Sequence, residues 1–377
     1  MAAPHRPPFR ADHVGSLLRP AELHEMREQV RRNQLPFDKL KAAEDRLIRE
    51  VVKLQEDLGL PSITDGEFRR DWWHIDFLAG FGGIELRRDG ENRTVEKRPV
   101  SGFQHADHKP PMMVLTGKLR RTRPSMLSHF VFLKQAVTKG LAKFTMPSPA
   151  MLHARADRAS IRKVYPDEAE FWADLAQCYR EEIADLYAAG CRYLQLDDTT
   201  IAMFGDPKVQ EQFRKAGDDP KKDVAVYAQA VNAAIRDVPD DMTVAIHTCR
   251  GNFKSTWLAS GSYDYVAETA FSTLDVDGFF LEYDDERSGG FEPLRYIPKG
   301  KRVVLGLVSS KIPDLEKKDD LKRRIDAASK IVALENLGLS PQCGFSSTHH
   351  GNNLTVEQEK AKLKLCLDTA QEVWKSL

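Results

Sequence analysis

The sequence predicts an α/β fold, a TIM (β/α)8 barrel in which parallel strands alternate with helices. Eight strand-like runs can be counted, and most are followed by a helical pattern. The chain has 377 residues, more than the roughly 250 that such a barrel needs. Polar residues cluster where the strand-like runs end, at the rim that carries active sites in this fold. We therefore expect one barrel domain spanning residues 1–377.

A doubly wound sheet is the alternative fold. Its nucleotide-binding members carry Gly-x-Gly-x-x-Gly in the first β/α turn, and this chain has no such turn there. The barrel is therefore favoured.

The bulk composition excludes several classes of partner. Basic and acidic residues balance at 56 each, so neither nucleic acid nor an anionic membrane is indicated. No apolar run reaches the roughly 18 residues that span a bilayer, and the N-terminus lacks the apolar segment of a signal peptide. Five cysteines are too few for a disulfide framework in a chain of this length. We expect a cytoplasmic protein that acts on small molecules and that could form a homo-oligomer.

The first two β/α units occupy the N-terminal part of the chain. A short strand leads to the Gly-Ser turn at residues 15–16, and helical patterns follow at residues 21–33 and 38–58, with Gly59 as the C-terminal cap. A second strand over residues 60–67 ends in acidic residues. Residues 80–121 change to alternating, charged segments with His105 and His108, which predicts an inserted β-hairpin.

The remaining units follow in regular order. Helices are predicted at residues 166–189, 223–237, 318–337 and 355–375. The eight strands are predicted to end at residues 14–16, 65–67, 146–148, 197–198, 247–249, 281–283, 306–308 and 342–344.

The stretch Val244-Ala-Ile-His-Thr-Cys249 carries the strongest chemical signal. Residues i and i+2 of a strand share a face, so His247 and Cys249 present an imidazole and a sulfur side by side. On a barrel, Glu282 and Cys343 would reach the same rim. Zinc prefers four-coordinate nitrogen and sulfur sites, and these four residues are the predicted ligands. Cys178, Cys191 and Cys366 lie on helical patterns or at a strand start, which is typical of core cysteines.

Taken together, the strand-end motifs resemble the catalytic domain of cobalamin-independent methionine synthase, and especially the short members of that family with a single barrel. The motifs that match in order are Val14-Gly-Ser16, Asp65-Gly-Glu67, Leu194-Gln-Leu-Asp197, His247-Thr-Cys249, Glu282 and Pro341-Gln-Cys-Gly344. The resemblance implies a zinc site at His247, Cys249, Glu282 and Cys343. Glu268 competes for the carboxylate position, but it does not lie at a strand end.

The resemblance also implies a substrate site. Homocysteine would bind through Gly15, Ser16 and Glu67, and Asp197 would face the pterin of a folate donor. A carboxylate suits an amino group, and the N–H groups of a turn suit a carboxylate. Trp73, in the pair Trp72-Trp73, is predicted either to stack on a flat substrate or to pack in the core.

One segment departs from the family pattern. The synthases carry a histidine before Ser-Pro-Arg-Ile-Pro after strand seven, which is proposed as the acid for the leaving group. This chain has Gly306-Leu-Val-Ser-Ser-Lys-Ile-Pro313 there. His349 and His350, beyond strand eight, are predicted to replace this acid, or else to lie in an exposed polar loop.

Three functional hypotheses follow. The first is a zinc-dependent methyltransferase that methylates a thiol, homocysteine above all, from 5-methyltetrahydrofolate (polyglutamate) or another methyl carrier such as a corrinoid. The second is thiol alkylation of the epoxyalkane–coenzyme M transferase type, in which a cation would replace Glu67 near the thiol's tail. The third is a non-catalytic barrel with structural zinc that binds a pterin or a partner protein. A barrel related to uroporphyrinogen decarboxylase needs no His-x-Cys pair and is disfavoured.

Overall fold

The computed structural model describes residues 6–88 and 110–376, and a parallel β-sheet lies at its centre. Its strands, numbered in chain order, are β1 (Ser62–Ile63), β2 (Gly82–Arg87), β3 (Met112–Arg120), β4 (Leu141–Ala142), β5 (Phe144–Pro147), β6 (Tyr193–Asp198), β7 (Thr243–Thr248), β8 (Gly278–Glu282), β9 (Arg302–Val308) and β10 (Leu337–Pro341). The six strands β5 to β10 form one sheet in sequence order, and every neighbouring pair is parallel.

Helices precede or follow these strands throughout. They are α1 (Ala21–Arg31), α2 (Phe37–Leu58), α3 (Ile75–Leu78), α4 (Leu127–Ala136), α5 (Ala150–Arg155), α6 (Arg158–Val164), α7 (Glu168–Ala188), α8 (Thr200–Met203), α9 (Pro207–Lys215), α10 (Pro220–Ile235), α11 (Asp264–Thr273), α12 (Lys318–Ser329) and α13 (Val356–Trp374). The central strands are buried almost throughout, as expected for parallel strands covered by helices.

Further segments continue the sheet at both edges. Ala11 forms a parallel bridge with Leu339 of β10, and β1 pairs in parallel with β4, next to β5. The Leu17 N–H also donates to the carbonyl of Gly66 at 3.1 Å. The predicted α/β fold with a parallel sheet is confirmed, whereas closure into an eight-stranded barrel stays a prediction.

The sheet positions a buried polar layer beneath the C-terminal strand ends. Lys143 and Asp12 form a fully buried ion pair at 3.1 Å, and the Lys143 ammonium lies 4.1 Å from the centre of the Phe280 ring. Phe280 packs with Tyr193, Ala245 and Val304 on one face of the sheet. The paired cation and these apolar side chains fill the space under the site.

Most predicted helices agree with the structure within a few residues. Gly59 caps α2 in the left-handed conformation, with a φ of 84°, as its position predicts. The predicted helix over residues 318–337 is too long, because α12 ends at Ser329 and β10 begins at Leu337. Residues 337–341 pair with β9 and reach Ala11 at Leu339. A 3-10 helix over Leu334–Asn336 and the start of β10 therefore occupy the end of the predicted helix.

The predicted insertion is a hairpin in its described part. Strands β2 and β3 pair antiparallel, which confirms that prediction. Residues 89–109, with His105 and His108, lie outside the described residues. Over residues 6–88 and 110–376, no helix has the length and apolar character needed to cross a membrane.

Candidate metal and substrate site

A cavity opens at the C-terminal ends of the central strands. Its wall includes seven of the predicted site residues: Ser16, Glu67, Trp73, Asp197, His247, Cys249 and Cys343. They come from five separate segments of the chain. The parallel sheet brings them to one edge, as the strand-end pattern predicts.

His247, Cys249 and Cys343 form a compact, buried cluster on this wall. Their candidate ligand atoms all lie within 4.8 Å of one another. The sulfurs of Cys249 and Cys343 are 3.8 Å apart, far beyond the roughly 2.05 Å of a disulfide. A tetrahedral zinc with Zn–S bonds near 2.3 Å separates two sulfurs by about 3.8 Å. The three side chains therefore fit a zinc ion.

Asp197 holds the imidazole of His247 in place. Strands β6 and β7 pair so that these two residues lie opposite each other, and Nδ1 of His247 is 3.1 Å from the Asp197 carboxylate. Gln195 donates to the same carboxylate oxygen at 2.7 Å. A carboxylate on one ring nitrogen fixes the tautomer and leaves the other nitrogen for a metal. Here that nitrogen is Nε2.

The cluster stabilises a thiolate. The contact with Cys249 and the nearby His247 lower the pKa of Cys343 well below its usual value, although burial opposes this. The same contact and burial raise the pKa of Cys249. Burial alone would lower the pKa of His247, but Asp197 and Cys343 raise it to about 10. The site therefore places the positive charge of His247 next to the Cys343 sulfur, which stabilises the thiolate as a metal ion would.

Glu282, the fourth predicted ligand, is buried beside this cluster and is engaged by cations. Its carboxylate accepts a hydrogen bond from the Arg250 backbone N–H at 2.5 Å and lies 3.3 Å from Lys311 and 3.4 Å from Arg287. Burial would raise the pKa of Glu282, but Lys311, Arg250 and Arg287 lower it to about 2. The structure thus groups three of the four predicted ligands and holds the fourth as an ionised neighbour. Glu268, the rival, is exposed on α11.

Glu67 presents an incompletely bonded carboxylate to the cavity. Its φ of 61° is unusual for a residue with a side chain, and such strain is common at functional sites. Oε1 accepts a hydrogen bond from Thr145 at 2.9 Å, whereas Oε2 is buried and has no hydrogen-bond partner among the described residues. Burial raises the pKa of Glu67 to about 7, although Arg70 opposes it. The free oxygen suits a cationic group of a ligand.

The Gly-Ser turn lies next to Glu67 at the cavity wall. Gly15 has a φ of 135°, and a Cβ there would come within 2.7 Å of the Thr145 side chain, so this position requires glycine. Ser16 is buried and lines the cavity. A Cβ on Gly344 would lie 1.9 Å from the Ser16 hydroxyl oxygen. The turn is therefore packed tightly against the loop that carries Cys343.

The sequence patterns missed several residues of the cavity wall. His74, Met151, Arg155 and Thr199 all line it. Arg155 donates to the Thr199 hydroxyl at 3.2 Å, and the His74 ring lies 4.8 Å from that of Trp73. These residues sit in loops and short helices after the strands, where periodicity gives no signal. Only the general tendency of such loops to carry function could have indicated them.

His349 and His350, the predicted acids, lie behind the cavity wall. Their rings are 3.8 Å apart, and both contact Trp72, at 5.5 and 5.9 Å. Neither belongs to the wall that the described residues form, although the adjacent Thr348 does. Their catalytic role stays a prediction that this arrangement does not favour.

Comparison with known proteins identifies related sequences over almost the whole chain. The family model described as the catalytic domain of the cobalamin-independent synthase matches residues 9–372. The uncharacterized protein YxjH of Bacillus subtilis is 45% identical over 371 residues, which covers 98% of this chain and 95% of that protein. A methionine synthase of Pyrococcus abyssi is 24% identical, with 88% of this chain and 85% of that protein covered.

A solved structure agrees with this result. A Listeria monocytogenes protein named as a vitamin-B12-independent methionine synthase superposes with a TM-score of 0.77 at 36% identity. The match covers 98% of this chain and 99% of that one. The likeness therefore extends over the whole fold, including the strand ends that form the cavity.

Proposed function

Because the chain belongs to the cobalamin-independent methionine synthase family, we propose that it is a zinc-dependent methyltransferase that methylates homocysteine to methionine. One observation carries the proposal. A buried His–Cys–Cys cluster and the open carboxylate oxygen of Glu67 lie on the wall of the same cavity. An amino-acid thiol requires a metal site for its sulfur and a hydrogen-bond acceptor for its ammonium group.

We propose that the described sheet closes into a single eight-stranded barrel spanning residues 1–377. The bridge at Ala11 and the pairing of β1 with β4 extend the sheet toward this closure. In such a barrel the zinc site lies at the C-terminal rim.

His247, Cys249 and Cys343 would hold the zinc, with Glu282 as a fourth and exchangeable ligand. When bound, zinc keeps a thiol in its thiolate form at neutral pH, which makes the sulfur a nucleophile. Glu282 is ionised, and Lys311 and Arg287 lie within 3.4 Å of its carboxylate. These cations would hold the Glu282 carboxylate ionised beside the other three ligands.

Glu67 and the turn at Gly15 and Ser16 would hold the amino-acid end of homocysteine. Oε2 of Glu67 would accept a hydrogen bond from the ammonium group, and the turn would receive the carboxylate. A thiol that ends in a sulfonate would instead meet this carboxylate with like charge. Glu67 therefore favours an amino-acid thiol over coenzyme M.

Asp197 and Trp73 would face the methyl donor, 5-methyltetrahydrofolate or another methyl carrier. Both residues line the same cavity as the His–Cys–Cys cluster. The thiol and the donor are the proposed partners. A cytoplasmic location and a homo-oligomeric state belong to the same proposal.

A direct assay tests this function. Zinc-loaded protein would be incubated with homocysteine and 5-methyltetrahydrofolate triglutamate, and methionine would be measured by mass spectrometry. A parallel reaction would contain coenzyme M with an epoxyalkane. We expect methionine only in the first reaction. If a thioether formed only in the second reaction, the thiol substrate would be coenzyme M and not homocysteine.

A further inference from the structure

The methyl donor side of the cavity needs an acid that the sequence motifs do not supply. A methyl group on an amine nitrogen transfers only if that nitrogen gains a proton as the bond breaks. The family's synthases carry a histidine in the segment after β9. In this chain the side chains of that segment bond to other side chains. The Ser309 hydroxyl donates to Asp284 at 2.8 Å, Ser310 accepts from Gln342 at 3.0 Å, and Lys311 pairs with Glu282. Within the described part of the chain, none of them lines the cavity.

Only two imidazoles lie on the cavity wall that the described residues form, those of His74 and His247. Nδ1 of His247 lies 3.1 Å from the Asp197 carboxylate, and the imidazole belongs to the His–Cys–Cys cluster, so it is committed to zinc. The carboxyl group of Glu67 is committed to the ammonium group of the thiol substrate. Hydroxyl groups on the wall hold their protons too strongly at neutral pH. His74 carries the remaining imidazole, the side chain that most often serves as a general acid.

The placement of His74 agrees with this role. It is buried, with 8% of its surface exposed, and it directly precedes α3. Its ring lies 4.8 Å from that of Trp73, the side chain proposed to stack on the donor. We infer that His74 is the general acid that protonates the leaving group of an N-methyl donor. This inference rests on the proposed function and deepens it, since it assigns the donor class as a methylated amine.

The reaction moves a methyl group from the donor nitrogen to the thiolate sulfur. The thiolate sulfur attacks the methyl carbon and forms the S–CH3 bond. The C–N bond breaks, and its electron pair goes to the donor nitrogen. That nitrogen takes the proton of the His74 ring, which then regains a proton from water. No oxidant or reductant is required.

The test compares two methyl donors in the zinc-loaded, full-length protein. The amine leaving group of 5-methyltetrahydrofolate needs a proton, whereas S-methylmethionine releases a neutral thioether without one. We expect His74→Asn to lower the transfer rate from 5-methyltetrahydrofolate by about 10²- to 10⁴-fold. Transfer from S-methylmethionine should stay within about threefold. His74→Gln serves as a second variant, and His24→Asn, on α1 away from the cavity, as the matched control.

Other outcomes separate this inference from the proposed function. Equal losses with both donors, or no loss with either, in variants that retain zinc and homocysteine binding would overturn the role of His74. A wild-type protein that uses S-methylmethionine but not the folate needs no acid, which also overturns the inference and leaves thiol methylation standing. Transfer from neither donor would refute the proposed function, and this inference with it.

Discussion

The two sides of the cavity are built from different kinds of structure. The metal wall, consisting of His247, Cys249 and Cys343, comes from the ends of β7 and β10. The donor wall, consisting of Trp73, His74, Met151 and Arg155, comes from a loop and from α5, which has only six residues. Strand ends are fixed by the hydrogen bonds of the sheet, whereas loops vary. The strand-end motifs that resemble the family therefore lie on the metal wall. The donor wall is where this chain can differ from its relatives.

The electrostatics of the two walls differ in the same way. At the metal wall, the contacts with Asp197 and Cys343 raise the pKa of His247, and the contacts with Cys249 and His247 lower the pKa of Cys343. The donor wall instead offers aromatic surface and a hydrogen bond from Arg155 to Thr199. Changes in the metal wall should abolish the chemistry, whereas changes in the donor wall should alter which donor is accepted.

Loss of a sulfur ligand should have the largest effect. Structural zinc sites gain about 10–16 kcal/mol from four ligands, so Cys343→Ala should weaken zinc binding by about 10²- to 10³-fold and abolish methyl transfer. Zinc would be measured by competition with a chelator. Cys366→Ala, on α13, is the matched control and should retain full zinc affinity. If the Cys343→Ala variant retained wild-type zinc affinity, Cys343 would not be a zinc ligand.

Removal of the Glu67 charge should break substrate binding without loss of zinc. A hydrogen bond to a charged group contributes about 1.5–3 kcal/mol, so Glu67→Gln should weaken homocysteine binding by about 10- to 150-fold. Titration calorimetry would measure this affinity. A thiol of the same length without the amino group should bind the wild type and the variant equally. An equal loss for both thiols would mean that Glu67 acts through the structure of the wall.

Loss of the Asp197 charge beside His247 should have an intermediate effect. Asp197→Asn keeps the size of the side chain but weakens its hold on Nδ1 of His247, so zinc affinity should fall by about 10- to 100-fold. The same chelator competition would report it. If only the affinity for the methyl donor fell, Asp197 would belong to the donor wall.

The pH dependence of homocysteine binding should show the smallest effect. Burial raises the pKa of Glu67 to about 7, and only the ionised carboxylate attracts an ammonium group. Affinity should therefore fall by up to about tenfold per pH unit as the pH drops below 7, and level off above it. Glu67→Gln should lose this component. An identical pH profile in wild type and variant would contradict it.

The grouping of His247, Cys249 and Cys343 could be predicted because it follows from strand geometry. Alternation along β7 places His247 and Cys249 together, and a parallel sheet brings Cys343 to the same edge. The ionic contacts of Glu282 could not be predicted, because Arg250, Arg287 and Lys311 approach from separate loops. His74 has no strand-end signal either, since its position depends on how the loop after Glu67 folds onto the rim. The end of α12 at Ser329 could not be predicted either, because the helical pattern of the sequence continues to residue 337.

The most direct test of the account is zinc content followed by zinc-edge X-ray absorption, with and without homocysteine. We predict one zinc per chain with two sulfur ligands, rising to three when homocysteine binds. A zinc whose sulfur count does not change with homocysteine would contradict thiol activation and favour a structural metal. A purified protein that neither contains nor binds zinc would contradict the metal wall itself.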